Sequence, residues 1–263
     1  EMKRVHFTES YLLNPRHRVT VNLIGCGGTG SQMLTCLARL DVTLRGLGHP
    51  GLSVTLYDPD TVTESNVGRQ LFSPADLGLN KAQCLVTRIN AFFGNDWRAV
   101  PDAYPEDENL ARREHMTNIT ITCTDNVKSR LDLWKALKGV KAVRYADHTT
   151  PFYWMDFGNA QTSGQVVIGT VPRKIPQPES KRYEAVPSLR VVTRMVRYDR
   201  VKDEDSGPSC SLAEALSRQD LFINSTLAQL GCDILWKMFR HGMTEHSGLY
   251  LNLDTMKVNP IMV

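Results

Sequence analysis

Short apolar runs alternate with helical periodicity through the first half of the chain. Val19 to Ile24 (VTVNLI) is an apolar, β-branched run and predicts a first strand. Glycines follow at once, and Met33, Leu34, Leu37 and Leu40 then repeat at helical spacing over Ser31 to Leu40. Glycines and Pro50 make Leu44 to Gly51 a loop before a second strand, Leu52 to Tyr57. Asn80 is placed to cap a helix that runs to about Phe93, and a third strand falls near Trp97 to Pro101. Asn118 to Thr122 (NITIT) is a strand, Asn126 to Lys138 a helix, and Val140 to Tyr145 the next strand. Strand and helix alternating in this way predict βαβ units and a parallel sheet.

Beyond Tyr145 the pattern changes. Tyr153 to Phe157 and Gly164 to Thr170 read as antiparallel strands. Pro172 to Ser209 carries Pro172, Pro176, Pro178, Pro187 and Pro208 among many charges and has no periodicity, which predicts a long, partly mobile loop. Helices are expected over Cys210 to Arg218 and Leu221 to Arg240, and a hairpin over Tyr250 to Val258. The fold expected is α/β: a Rossmann-like, mostly parallel sheet flanked by helices, with an antiparallel extension in the C-terminal half. It forms one domain over 1–263, divided at about residue 150.

Composition narrows the function classes. Apolar residues make up 41% and charged residues 22%, ordinary proportions for a globular chain. A net charge of +3 is too small to argue for a nucleic-acid surface. There is no apolar run of the length a membrane helix needs, and Glu1 to Ser10 has no signal-peptide core. The six cysteines include no C-x-x-C pair, so no structural zinc is expected, and their scatter through core-like segments suits a reducing cytoplasm.

The chemistry starts at Gly25-Cys26-Gly27-Gly28-Thr29-Gly30, which places glycines at the G-x-G-x-x-G positions Gly25, Gly27 and Gly30 between a strand and a helix. Such a turn brings backbone N–H groups and a helix N-terminus to phosphates, but the motif alone does not separate NAD from ATP. Asp58, after the second strand, suits ribose hydroxyls or a turn beside Pro59. Asn66, Arg69 and Lys81 follow: Asn66 could hydrogen-bond a phosphate or an attacking carboxylate, and Arg69 and Lys81 singly read as solvated surface charges but jointly, at this spacing from the glycines, suit a triphosphate and a leaving pyrophosphate. Asp125 lies at the carboxyl end of a strand, where it could hold Mg²⁺ or, beside Asn126, cap a helix. An NAD-linked oxidoreductase and a non-catalytic scaffold are the alternative readings. Asn66, Arg69 and Lys81 count against the first, and the complete phosphate-facing set counts against the second.

Gly-x-Gly-Gly-x-Gly, the Asp after strand two, Asn-x-x-Arg-Gln, Gly-x-x-Lys-Ala and Thr-Asp-Asn together resemble the ThiF/MoeB and ubiquitin-activating-enzyme superfamily. Asp156-Phe157-Gly158 and Gly164-Gln165-Val166 look like that family's following strand pair, and YLLNP, VNLIGCGGTGSQ and PSCSLAEALSRQDLFINS are similar to the ThiF-like proteins of bacterial PRTRC systems. The resemblance implies ATP-dependent adenylation of the C-terminal carboxylate of a small ubiquitin-like or sulfur-carrier protein. Gly25, Gly27, Gly28 and Gly30 would line the nucleotide, Asp58 would hold the ribose, Asn66, Arg69 and Lys81 would face the phosphates, and Asp125 would bind Mg²⁺. It also implies a homodimer, in which Arg16 or Arg18 would reach the partner's site, and a conjugating-enzyme-like protein as a further partner. Residues 19–150 would then be the nucleotide-binding half and 151–263 the carrier-binding half. Some relatives go on to a thioester. Cys210 is placed for it, at the start of a predicted helix that would lower a thiol's pKa, or it is a capping or core cysteine. His148, after the strand ending at Tyr145, is placed to face the substrate tail but is given no catalytic role, and Arg190 to Arg200 is either a solvated strand or a docking face.

Overall fold

The structure is a computed structural model that describes residues 2–105, 115–140, 145–196 and 216–263. Its first half runs β1 (Lys3–Phe7), α1 (Ser10–Leu13), β2 (Val19–Ile24), α2 (Gly28–Gly46), β3 (Leu52–Tyr57), α3 (Lys81–Phe93), β4 (Arg98–Val100), β5 (Ile119–Thr122) and α4 (Val127–Lys138). The second runs β6 (Tyr153–Asn159), β7 (Ser163–Thr170), β8 (Tyr183–Ala185), α5 (Ile223–His241), β9 (Met243–Thr244), β10 (His246–Asn252) and β11 (Lys257–Met262). An eight-stranded sheet, in the order β11-β10-β7-β6-β5-β2-β3-β4, forms the centre. Strands β4, β3, β2, β5 and β6 are parallel, and β7, β10 and β11 continue the sheet antiparallel. This is a Rossmann-like α/β fold with an antiparallel C-terminal extension.

Both faces of the sheet are covered, so β2 and β5 are buried along almost their whole length, with the polar Asn22, Thr120 and Thr122 among the buried residues. On one face α2, α3 and α5 bury Met33, Leu37, Leu85, Leu227 and Leu235 against Val21, Leu23, Val54 and Ile121. On the other, Leu133 and Leu137 of α4 meet Ile24, Trp154 and Val167. Strand β6 serves both layers through its two-residue period: Tyr153, Met155 and Phe157 point to the first, Trp154 to the second. Each fully buried large apolar side chain of this kind contributes about 1.5–3 kcal/mol.

The differences from the sequence reading have local causes. Helix α2 runs beyond Leu40 to Gly46 because Leu44 is still buried on the core face. Residues 141–144, where a strand was expected, lie outside the described residues, and β5 takes β6 as its parallel neighbour instead. The part of the 172–209 loop that is described, 172–196, is held down by buried Ile175, Val186, Leu189, Val191 and Val192 and by β8. The N-terminal stretch, polar in sequence, forms β1 and pairs with β8 and β9 in a second, three-stranded sheet. Among the described residues no helix is long and apolar enough to cross a membrane.

Candidate functional site

Strands β2, β3 and β5 end together, and a cleft of about 1910 Å³ opens at their carboxyl ends. Ligands of open α/β sheets bind in this place, where the chain reverses its crossover direction. Gly25 leaves β2 with a φ of +87°, a conformation that favours glycine, and its N–H donates to the Tyr57 carbonyl at 2.9 Å. The turn then delivers Gly27 and Gly28 to the cleft wall at the start of α2. Gly30 does not line the cleft. A Cβ there would run into the carbonyl of Gly25, so this glycine serves the close approach of helix to turn, which corrects the nucleotide-lining role implied for it.

Asp58 follows β3, is 5% exposed, and braces the turn: one oxygen accepts from the Cys26 N–H at 2.6 Å and the other from the Asp60 N–H at 2.9 Å. Each carboxylate oxygen has a second lone-pair site, so the group can still accept from a ligand. Asn80 caps α3 by accepting from the Gln83 N–H at 3.0 Å, while its amide donates to the carbonyls of Asp58 and Asp60. This fastens the start of α3 to the end of β3 and fixes Lys81, whose ammonium is buried in the cleft wall 3.2 Å from the exposed Asp60 carboxylate.

Arg69 and Asp125 line the same cleft. Burial lowers the pKa of Arg69 and the Asp125 carboxylate pulls it back up, so the two side chains feel each other. Asn126, not Asp125, caps α4, accepting from the N–H groups of Lys128 and Ser129. That leaves Asp125 as an exposed carboxylate at the rim. Asn66 also reaches the cleft, but its side-chain oxygen is taken by the N–H and hydroxyl of Thr63 at 2.9 and 3.0 Å. Asn66 therefore shapes the turn that carries Arg69.

The cleft holds unmet hydrogen-bonding capacity. Arg69 Nε, Gln70 Oε1 and Thr124 Oγ1 are buried without a partner, and all three residues line it. Buried polar atoms are almost always paired, so three in one cleft mark a place where a polar ligand completes the bonding. Among the described residues no group of three His, Cys, Asp or Glu side chains is placed to hold a metal.

Several positions matter that the sequence did not disclose. Asn224 of α5 sits against Gly28, accepts from the Thr29 hydroxyl at 2.9 Å and from the Asn159 amide at 2.5 Å, and donates to Gln219 at 2.8 Å. Gln219 in turn accepts from Arg69 Nη1 at 2.9 Å. Beneath the cleft, Arg130 and Asp156 form a buried ion pair at 2.7 Å. Burial nonetheless raises the pKa of Asp156 against the pull of Arg130, and its second oxygen has no partner. Asp156, Gln219 and Asn224 fall in stretches that carry the family resemblance, but no glycine, Asn-x-x-Arg or Lys motif assigns them these roles, which come from tertiary contact.

Other expectations fall elsewhere. Arg16 and Arg18, expected to act in a partner subunit's site, precede β2 at the end of the sheet away from this chain's own cleft, and Arg18 pairs with Asp96. His148 is at that end too, its carbonyl accepting from Thr20, so it does not face the cleft. Cys210 and residues 197–200 of the arginine-rich stretch lie outside the described residues. The thiols of Cys26, Cys84, Cys123 and Cys232 are held protonated; burial and Asp76 push Cys84 up to about 11. Among the described cysteines only Cys36 is lowered, by the hydrogen bond it receives from Cys232.

The model of the ThiF family matches residues 12–261. Mouse ubiquitin-like modifier-activating enzyme 6 is 33% identical over 120 residues, 43% of this chain, and the Drosophila melanogaster Nedd8-activating enzyme E1 catalytic subunit is 39% identical over 72 residues, 27% of it. The chain spans 11% and 14% of the length of those two relatives. A crystal structure of Escherichia coli MccB with ATP superposes with a TM-score of 0.57 over 93% of this chain and 63% of its own, at 13% identity, a likeness of fold alone.

Proposed function

The chain belongs to the ThiF family, and from that premise we propose that it uses ATP to adenylate the C-terminal carboxylate of a small ubiquitin-like or sulfur-carrier protein. The observation that carries the reading is the meeting, in one cleft, of the Gly25–Gly28 turn, the cations Arg69 and Lys81, and three unpartnered buried polar atoms. The matched ubiquitin-like modifier-activating and Nedd8-activating enzymes support the substrate class, and the fold shared with MccB, whose structure holds ATP, supports the nucleotide.

In this reading the turn and the N-terminus of α2 receive the phosphates, and Asp58 receives ribose hydroxyls. Lys81 and Arg69 stabilise the negative charge that grows on pyrophosphate as the carrier carboxylate attacks the α-phosphate and the α–β phosphoanhydride bond breaks. Both cations are preorganised: Lys81 by the capped start of α3, Arg69 by the Asn66 turn and Gln219. The attacking carboxylate is already ionised, so the step needs no general base. Asp125 suits Mg²⁺, which takes one or two carboxylates together with substrate phosphates and would there screen the phosphate charge. A second step, transfer of the acyl group from the adenylate to Cys210 with release of AMP, rests on the sequence context of that cysteine.

Calorimetric titration with Mg·ATP and with NAD tests the reading. ATP should bind and NAD should not, and Lys81→Ala should weaken ATP by at least about tenfold, the scale of one hydrogen bond to a charged group. Equal binding of both nucleotides, or an unchanged Lys81→Ala protein, rejects it. With a carrier protein in hand, a reducible adduct that persists in Cys210→Ser would remove the thioester step.

A further inference from the structure

Arg69 is held at its guanidinium end by Gln219, a residue 150 positions away whose side-chain oxygen accepts from Arg69 Nη1 at 2.9 Å and from Asn224 Nδ2 at 2.8 Å. Asn224 is 2% exposed and is itself fixed by Thr29 and Asn159, so Gln219 rests on a braced partner. The same asparagine lies against Gly28, in the turn proposed to receive phosphates. One hydrogen-bonded chain therefore runs from the glycine turn through Asn224 and Gln219 to Arg69.

The chemical character of the acceptor matters. Arg69 is half-buried, its Nε is buried without a partner, and burial already works against its charge. A carboxylate at 219 would hold the guanidinium as firmly but would compete with any incoming phosphate for it. A carboxamide oxygen fixes the geometry and leaves the charge uncompensated. Asp125 is the charged neighbour that acts on Arg69, from the exposed rim.

We propose that Gln219 is a positioning residue: a neutral acceptor that aims the Arg69 guanidinium into the cleft while keeping its full charge for the nucleotide's phosphates. The proposal rests on the ATP reading above and goes further, assigning a role to a residue outside every glycine, Asn-x-x-Arg and Lys motif. Its consequence is that the two ways of changing residue 219 separate. Gln219→Glu keeps an acceptor for both donors and changes only the charge. Gln219→Leu removes the acceptor.

The test measures Mg·ATP affinity by calorimetry on the full chain for wild type, Gln219→Glu, Gln219→Leu, Arg69→Ala and the Arg69→Ala/Gln219→Leu double variant, with melting temperatures alongside. Both single changes at 219 should weaken ATP by about tenfold. Gln219→Glu should do so without lowering the melting temperature, and Gln219→Leu should add nothing once Arg69 is alanine. An unchanged affinity in Gln219→Glu overturns the proposal, as does a Gln219→Leu loss that persists in the Arg69→Ala background, the mark of a merely structural residue. Wild-type protein that binds no ATP would overturn the functional reading and this inference with it, a result distinct from the other two.

Discussion

Gly28 and Gly30 stand two residues apart at the start of α2 and are glycines for different reasons. A Cβ on Gly28 would meet the Asn224 side chain, whereas one on Gly30 would meet the backbone carbonyl of Gly25. The Asn224 side chain can shift at the cost of its hydrogen bonds and a strand-end carbonyl cannot, so Gly30→Ala is the harsher change. It should cost about 2–3 kcal/mol in urea unfolding, the upper range for overpacking a close contact. Gly46 is the internal control: nothing lies within 4 Å of the Cβ position there, and it ends the same helix. Gly46→Ala should stabilise by up to about 1 kcal/mol, the usual glycine penalty in a helix. Equal effects at 30 and 46 would refute this account of the turn. The motif spacing disclosed that the glycines belong together but not which line the cleft and which pack against protein, because that depends on Cys123, Asn224 and Gly25 meeting in space.

Helix α3 shows how an element places a charge. Asn80 uses all of its amide: the oxygen caps the helix at Gln83, and the nitrogen donates to the carbonyls of Asp58 and Asp60, at 2.9 and 3.1 Å. Asn80→Ala should therefore cost more than an ordinary cap, about 2 kcal/mol, at the upper end of the capping range. Asn80→Asp keeps the acceptor and loses the donors, so it should recover only part of that stability in chemical denaturation. Full recovery by aspartate would mean that the two carbonyl contacts carry no weight. The helix, its cap and its end near Phe93 were all legible, since they depend on local spacing and on one Asn. Strand β1 was not: Lys3, Arg4 and His6 look like a solvated terminus until β8 and β9 arrive from about 180 and 240 residues further on. The extent of order in 172–196 was hidden for the same reason, as its buried side chains are spaced by their partners and not by a period of their own.

At the scale of the whole molecule a buried imidazole helps join the small sheet to the large one. His6 of β1 is wholly buried, with Nδ1 at 2.7 Å from the Val186 carbonyl and Nε2 at 2.8 Å from the hydroxyl of Tyr153 in β6. The Tyr153 oxygen already accepts from the Glu9 N–H at 3.0 Å. Val186 O can only accept, so Nδ1 carries the proton, and the Tyr153 hydroxyl donates to a bare Nε2. The network thus fits neutral His6 in one tautomer, and burial lowers its pKa below the usual 6.5, outweighing the Val186 bond. Below that value the unfolded chain binds a proton that the folded chain resists, so stability present above pH 6.5 is lost as the pH falls. The slope from this one group is at most about 1.4 kcal/mol per pH unit. The carboxylate Asp76, held down by its hydrogen bonds to Cys84, Ser73 and Arg88, titrates far lower, and the raised Asp156 acts in the opposite sense, so the His6 share is read as the difference between wild type and a His6 variant. His6→Gln, which can donate to Val186 and accept from Tyr153, should flatten melting temperature between pH 7.5 and 5.5 relative to wild type, within about 1 pH unit of the ordinary imidazole value on either side. A wild-type curve already flat over that range, or an equally steep His6→Gln curve, would show that the imidazole does not govern the seam. Because the seam ties β1, the 172–196 segment and β6 together, its loosening in acid should also release the chain that leads from β7 around the molecule, a change that amide exchange at Val5 and Val186 would report.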